Sequence, residues 1–297
     1  MKSYPKITIV TPCFNREQYI RETIESVLGQ NYPNLEYIVI DDGSTDGSWD
    51  IIQEYKDRLS YCEKLEGYRE SPVHAINYGF SKGSGEIFGW LNDKNVLFSK
   101  SLFVIADIFE RQDEVDWLTG LAATLDERGY VTRVSAPRKH RYDFLIGKWE
   151  IVQQESTFWR SSLWHQVGGL QEEDIWAFDV GLWAEFFQVG AKLWHIQTVL
   201  GAYRRITRGQ SIARKSEFEA YRKKALQRLH KDTSVFETVA AAIYRTLYYS
   251  RPVWRMLPDA MFSAGPLKRF GHPALMFEPG EGVWHQTMKN PFRGAGF

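Results

Sequence analysis

Lys6-Ile-Thr-Ile-Val-Thr11 leads into Pro12-Cys-Phe-Asn-Arg16, and Leu35-Glu-Tyr-Ile-Val-Ile40 leads into Asp41-Asp-Gly-Ser-Thr-Asp-Gly-Ser48. Both apolar runs have strand length and are rich in β-branched residues. Between them Ile20, Ile24, Val27 and Leu28 recur at helical spacing, which predicts strand, helix, strand. Asn15 is placed to cap that helix, with Gln18 three residues on. The second strand is apolar almost throughout, as expected of a strand covered on both faces. A helix with Ile51, Ile52 and Tyr55 inward, a strand near Ser60–Leu65, a helix around Val73–Phe80 and a strand at Glu86–Leu91 continue the alternation. Such a βαβ series predicts a parallel sheet with right-handed crossovers.

Beyond Asn95 the pattern loosens. It reads as a helix at Ser101–Arg111, short strands near Trp117–Leu125 and Tyr130–Arg133, and a Trp/Phe-rich stretch from Phe144 to Trp164. A helix around Asp179–Val189 and two strands, Lys192–His195 and Val199–Arg204, close this half. Ser216–His230 and Ser234–Tyr249 are two amphipathic helices, followed by Pro-containing aromatic segments to Phe297.

The 297 residues carry 37 Lys+Arg against 37 Asp+Glu, and 43% are apolar. That length supports one large domain, or a domain with an appendage, without covalent staples. Nothing in the composition suggests disorder. No apolar stretch approaches the roughly 18 to 20 residues that span a bilayer, and the start lacks a signal-peptide pattern, so neither spanning nor secretion is expected. Cys13 and Cys62 alone make neither a disulfide framework nor a zinc site, and free thiols suit a reducing cytosol. The zero net charge conceals an asymmetry: from Arg204 onward there are 17 Lys+Arg and 7 Asp+Glu, a net of +10 against −10 for the rest. The basic segment either meets an anionic partner or attracts the acidic body.

In an open parallel sheet, ligands bind beyond the carboxyl ends of the strands, where loops expose free amides. Three such loops are polar: Thr11–Arg16, Asp41–Asp46 and Asn92-Asp-Lys-Asn95. None carries a G-x-G-x-x-G or P-loop pattern, so a nucleotide here is held by side chains.

In these loops the sequence resembles the family 2 glycosyltransferases, inverting enzymes that use nucleotide-diphosphate sugars. The resemblance also rests on Ile24-Glu-Ser-Val-Leu-Gly-Gln-Asn-Tyr-Pro33, Ala75-Ile-Asn-Tyr-Gly79, Gly85-Glu-Ile-Phe-Gly-Trp-Leu-Asn92, Gln154-Glu-Ser-Thr-Phe-Trp-Arg160, Val167-Gly-Gly-Leu170 and Asp179-Val-Gly-Leu-Trp183. It implies a GT-A fold, a Rossmann-like α/β architecture with a mostly parallel sheet flanked by helices. The implied domain covers 1–210, with a nucleotide-binding half at 1–96 and an acceptor half at 97–210. A helical, aromatic and basic extension occupies 211–297. The resemblance further implies that Thr11, Pro12, Phe14, Asn15 and Arg16 wall the base and ribose. Asp42, beside Asp41, accepts the N–H of a uracil-like base, and Asn92 and Asp93 complete the nucleotide contacts. Without the resemblance, Asp41–Gly43 is a turn and Asp46 a helix cap.

The sequence leaves the family pattern where an acidic cluster usually binds Mn²⁺ or Mg²⁺. Asp93-Lys94-Asn95 retains one carboxylate, and Arg69-Glu70-Ser71 replaces a common Asp-x-Gly. An ammonium among the ligands repels a hard divalent cation. Three readings stay open: residual metal binding through Asp93 and Asn95, a metal-independent site in which Lys94 and Arg69 hold the diphosphate, or impaired catalysis. By the same resemblance Asp179 is the catalytic base, with Glu155 and Asp174 in reserve; otherwise Asp179 is a helix-capping residue. Arg204 matches a phosphate-approaching position. Trp159, Trp176 and Trp183, with Glu155, are candidates for sugar or acceptor contact. The histidines have no metal spacing.

Phe236, Val239, Ala240, Ile243, Leu247 and Tyr248 form one helical stripe, followed by Arg251, Trp254 and Arg255. Residues 216–256 therefore suit either a peripheral contact with the cytoplasmic membrane face, where a lipid-linked acceptor is presented, or packing on the domain or in a homodimer. The function expected is transfer from a UDP- or GDP-type donor to a glycan or lipid-linked glycan in surface polysaccharide assembly. The alternative is a sugar or nucleotide-sugar binding module that kept the fold without catalysis. No nucleic-acid module is recognised.

Overall fold

A computed structural model describes residues 4–67, 71–135, 141–146, 152–206, 215–231, 233–249, 261, 272–278 and 283–289. Strands β1 (Ile7–Cys13), β2 (Leu35–Asp41), β3 (Tyr61–Lys64) and β4 (Ile87–Trp90) pair in parallel in the order β3-β2-β1-β4. Helices α1 (Ile20–Leu28), α2 (Ser48–Glu54) and α3 (Val73–Lys82) join them. β1 is buried at every position because both faces are covered. Ile9, Val39 and Ile87 join one core, while Val10, Ile38, Ile40 and Phe88 join the other. Each such side chain contributes roughly 1.5–3 kcal/mol by leaving water.

The second half continues this sheet. After a two-residue strand β5 (Val96–Leu97) and helix α4 (Ser101–Arg111) come β6 (Trp117–Leu125) and β7 (Val131–Ser135), an antiparallel pair. A short helix α5 (Arg141–Leu145) precedes β8 (Thr157–Arg160), which inserts antiparallel between β4 and β6. The Trp/Phe-rich stretch thus contains a strand that composition alone did not resolve. Helices α6 (Ser161–Val167) and α7 (Phe178–Gln188) follow. The two strands expected at 192–204 form one, β9 (Leu193–Arg204), parallel to β6 with two register shifts. The first of those shifts falls between His195 and Val199, where a polar break in sequence suggested two strands.

Helices α8 (Lys215–Lys231) and α9 (Val235–Tyr249) match the two amphipathic stretches. The expectation for the aromatic end is corrected: β10 (His272–Glu278) and β11 (Val283–Lys289) form an antiparallel hairpin, and β10 pairs in parallel with β9. The extension therefore lengthens the same sheet, as backbone pairing along an edge allows whatever the side chains. Among the described residues, no helix is long and apolar enough to cross a membrane.

Asn15 does not cap α1. That helix begins four to five residues later, its N-cap position is Tyr19, and no side chain caps it. Asn15 is instead in the left-handed region, φ 51°, a conformation its short amide tolerates better than most side chains do.

Candidate active site

The carboxyl ends of β1, β2 and β4 open onto a cleft of about 760 Å³, closed on its far side by the β6–β7 pair, the 175–183 segment and α8. The rim formed by the loops after β1 and β2 is braced from within. The Asn15 Oδ1 accepts the Thr45 N–H at 2.8 Å, and the Asn15 N–H donates to Ser44 Oγ at 2.9 Å. Ser48 Oγ takes the Arg16 N–H at 2.8 Å, while Asp46 accepts from Ser48 N–H and Glu17 N–H. The first and second loops are therefore one hydrogen-bonded unit, and Pro12, Phe14, Asn15, Arg16 and Asp42 line the cleft from it.

The cleft lining sorts the rest. Thr11 turns into the sheet, fully buried, with its hydroxyl 3.0 Å from Tyr37 Oη, and is not among the residues that line the cleft. Asp41 is likewise fully buried, and its Oδ1 accepts the Ser44 N–H at 2.8 Å. Asp42, one residue on, lines the cleft, although it is only 2% exposed. Its N–H donates to Cys13 O at 2.8 Å, extending the β1–β2 ladder to the rim.

In the third loop, Asn92, Asp93 and Lys94 line the cleft. The Asp93 carboxylate accepts the Phe14 N–H at 3.0 Å and lies 3.6 Å from Arg16 Nε. Burial pushes its pKa up to about 6, against the opposing pull of Arg16. The Lys94 ammonium sits 4.8 Å from the Tyr203 ring centroid. Asn95 is fully buried: its Nδ2 donates to Glu155, and its Oδ1 accepts the Arg204 N–H at 3.0 Å. Both ends of its amide are thus used by protein, which removes it as a metal ligand. With Asp93 committed to Phe14 and Arg16, Asn95 occupied and a lysine between them, these residues do not fit a divalent cation. Among the described residues no three His, Cys, Asp or Glu gather to hold one.

Arg204 does not approach the cleft. It is 1% exposed, its Nη2 bonds Glu22 at 2.6 Å, and its Nε donates to Lys94 O at 3.0 Å. Its charge anchors the third loop from behind. Arg69 lies outside the described residues.

Asp179 enters from the first turn of α7, and Glu155 from the turn before β8; both line the cleft. Burial raises the Asp179 pKa, while its hydrogen bond from the Val180 N–H and the charge of Arg222 lower it. Burial also raises Glu155, to about 7, and the negative charge of Asp179 adds to that rise. Burial thus disfavours the charged form of both carboxylates.

The tryptophans divide. Trp183 is covered on both faces, by Trp90 at 5.9 Å and 6° and by Trp117 at 5.3 Å and 20°. Trp159 is fully buried among Phe80, Trp90 and Trp164. Trp159 therefore has no face for a sugar and is corrected to a core residue beneath the site, whereas Trp183 lines the cleft but is only 1% exposed. Trp176 lines the cleft, its ring 6.2 Å from that of Phe218.

Phe218 and Arg222 of α8, and Arg133, Tyr203 and Gln154, also line the cleft. None was among the expected site residues. The first pair had a usable signal: positions i and i+4 on a helix share a face.

The family model for glycosyl transferase family 2 matches residues 8–248. The chain belongs to that family. A GalNAc(5)-diNAcBac-PP-undecaprenol beta-1,3-glucosyltransferase of Campylobacter jejuni is 24% identical over 294 residues, 92% of each chain. A putative teichuronic acid biosynthesis glycosyltransferase, TuaG of Bacillus subtilis, is 36% identical over 90 residues, 30% of this chain and 35% of that one. Other relatives are longer: the match spans 60% of an uncharacterized glycosyltransferase of Rickettsia typhi and 32% of one from Rickettsia felis. Among solved structures, S. aureus TarS in complex with UDP-GlcNAc aligns with TM-score 0.60 at 19% identity, covering 73% of this chain and 64% of that one. Mannosyltransferase PcManGT of Pyrobaculum calidifontis, in complex with GDP-Man and Mn²⁺, aligns with TM-score 0.55 at 17% identity over 84% and 82%. The fold of this family 2 chain is therefore GT-A.

Proposed function

We propose that this family 2 chain is an inverting glycosyltransferase that moves a sugar from a UDP- or GDP-type donor to a glycan or lipid-linked glycan in surface polysaccharide assembly. The observation that carries the reading is that Asp42, at the end of β2, and Asp179, at the start of α7, line one cleft. In the step proposed, the acceptor oxygen attacks the anomeric carbon from the face opposite the diphosphate. The carbon–oxygen bond to the nucleotide breaks with its electrons, and the acceptor proton passes to the Asp179 carboxylate. Glu155 lines the same cleft, and the negative charge of Asp179 adds to the rise in its pKa. Pro12–Arg16 and Asp42 hold the nucleotide, and Trp176 offers a face to a sugar.

The departing diphosphate needs positive charge. The donor set at Asp93–Asn95 supports direct neutralisation by Lys94, with Arg69, in place of a divalent cation. Turnover in EDTA is then expected to stay within about twofold of turnover in Mn²⁺; complete loss on chelation would remove metal independence. The exposed apolar positions of α9, Phe236 at 64% and Val239 at 54%, support a peripheral membrane contact on the cytoplasmic side. Vesicle flotation with and without the segment after residue 210 tests it, and equal flotation counts against it.

A thermal-shift screen over nucleoside diphosphates, followed by donor hydrolysis without acceptor, tests the main reading. A ligand that binds only the folded state raises its apparent stability. Stabilisation by UDP or GDP with slow release of sugar is expected. Stabilisation without any hydrolysis or transfer would favour the binding-module alternative.

A further inference from the structure

One wall of the cleft is built by the segment that follows the sheet. α8 packs along α7, the helix that carries Asp179, and its Phe218 and Arg222 face the cleft one turn apart. The Arg222 guanidinium carbon stands 5.5 Å from the Phe218 ring centroid, and that ring is tilted 40° against Trp176. An aromatic floor thus holds the cation in place.

Its hydrogen-bonding capacity is barely used. Nη1 reaches Glu219 Oε1 only at 3.5 Å, and the buried Nε has no partner among the described residues. A guanidinium has five donors in a planar fork shaped for carboxylate or phosphate. A second cation, Arg133 of β7, lines the same cleft.

The helix is held where it is by charge. Arg228 pairs with Asp174, whose side chain is 1% exposed. That approach needs Gly181, where a β-carbon would fall 2.2 Å from Asp174 Oδ2. Arg222 is therefore presented by a latched element.

We propose that Arg222 recognises the acceptor: it binds an oxyanion, phosphate or carboxylate, carried by the molecule whose hydroxyl Asp179 deprotonates. This rests on the glycosyltransferase reading above. The donor-side cations Arg16 and Lys94 stand on the loops after β1 and β4, whereas Arg222 lines the cleft from α8, the helix packed on the one that carries Asp179. A base that takes the acceptor proton faces the acceptor, so a cation acting on it from α8 stands on that side. An uncharged acceptor leaves the guanidinium unmatched, which disfavours it by comparison.

The test is calorimetric titration of the whole chain with inorganic phosphate, glucuronate and glucose, with and without saturating UDP. It compares the wild type with Arg222→Gln and Arg222→Lys, both checked for an unchanged thermal midpoint. Saturable binding of phosphate or glucuronate but not glucose is expected, weakened about tenfold or more in R222Q and less in R222K, with UDP affinity within about twofold. The stronger of the two anions identifies the source of the oxyanion. Anion binding unchanged in both variants would overturn the proposal. So would a tenfold loss of UDP affinity, which would put Arg222 on the donor diphosphate. Arg222-dependent anion binding in a wild type that takes up no UDP or GDP would uphold this site while sinking the donor reading.

Discussion

The two rims of the cleft are built differently. On the donor side, backbone amides of one loop meet side chains of the next, as with Asn15 to Thr45 and Asp93 to Phe14. On the acceptor side, the contacts are between side chains: Trp176 with Phe218, and Asp174 with Arg228. The donor rim is stiffened by backbone-to-side-chain hydrogen bonds between loops that the sheet brings to one edge. The acceptor rim depends on a helix docked by an ion pair, so changes there should affect stability and acceptor choice before they affect nucleotide binding.

The largest effect is expected at the base. Asp179→Asn should lower transfer by about a thousandfold while leaving nucleoside diphosphate affinity unchanged. Single-turnover rates near wild type would take Asp179 out of the chemistry.

Next comes the latch. Gly181→Ala places a β-carbon against buried, ion-paired Asp174 and should cost about 1–3 kcal/mol, seen as a lowered urea midpoint. Its transfer rate should fall more than its donor affinity. An unchanged midpoint would mean that α7 and α8 are not locked together.

A smaller effect is expected on the donor rim. Asn15→Ala loses the bond to Thr45 and must hold a left-handed φ, together about 1–2 kcal/mol, so UDP or GDP affinity should weaken roughly tenfold. Asn15→Gly keeps the backbone and should recover part of it. Equal affinities in all three proteins would dissociate the loop bracing from nucleotide binding.

A further effect is one of pH. Glu155 has its pKa raised from 4.5 to about 7 in the folded protein. As pH rises through that interval, the unfolded chain gives up this proton first, so the residue's contribution to stability declines. Thermal midpoints of wild type minus Glu155→Gln, plotted against pH, should fall between 4.5 and 7. A level difference would deny the shift.

Much of the donor rim was legible because its chemistry is local. A strand, a polar loop and a helix follow one another within about 15 residues, and Asp42 lines the cleft while Asp41 does not. Residue type misled where burial overrode it. Trp159, Trp183, Asn95 and Arg204 are all of the right chemistry for a sugar or phosphate site, yet the first two are enclosed by other rings and the last two are occupied by protein partners. Nothing in their local sequence distinguishes Trp159, Asn95 and Arg204 from Trp176 or Lys94, which line the cleft.

Sequence alone determined the alternation of strands and helices, the parallel sheet and the loops at its carboxyl edge, because periodicity and turn chemistry act over a few residues. Only the tertiary structure decided that α8 joins the site, that β10 and β11 extend the sheet, and which polar side chains are already engaged. Those outcomes depend on which distant surfaces exclude water together and on whether a buried charge finds its partner across the fold. Neither is written in the neighbours of a residue along the chain.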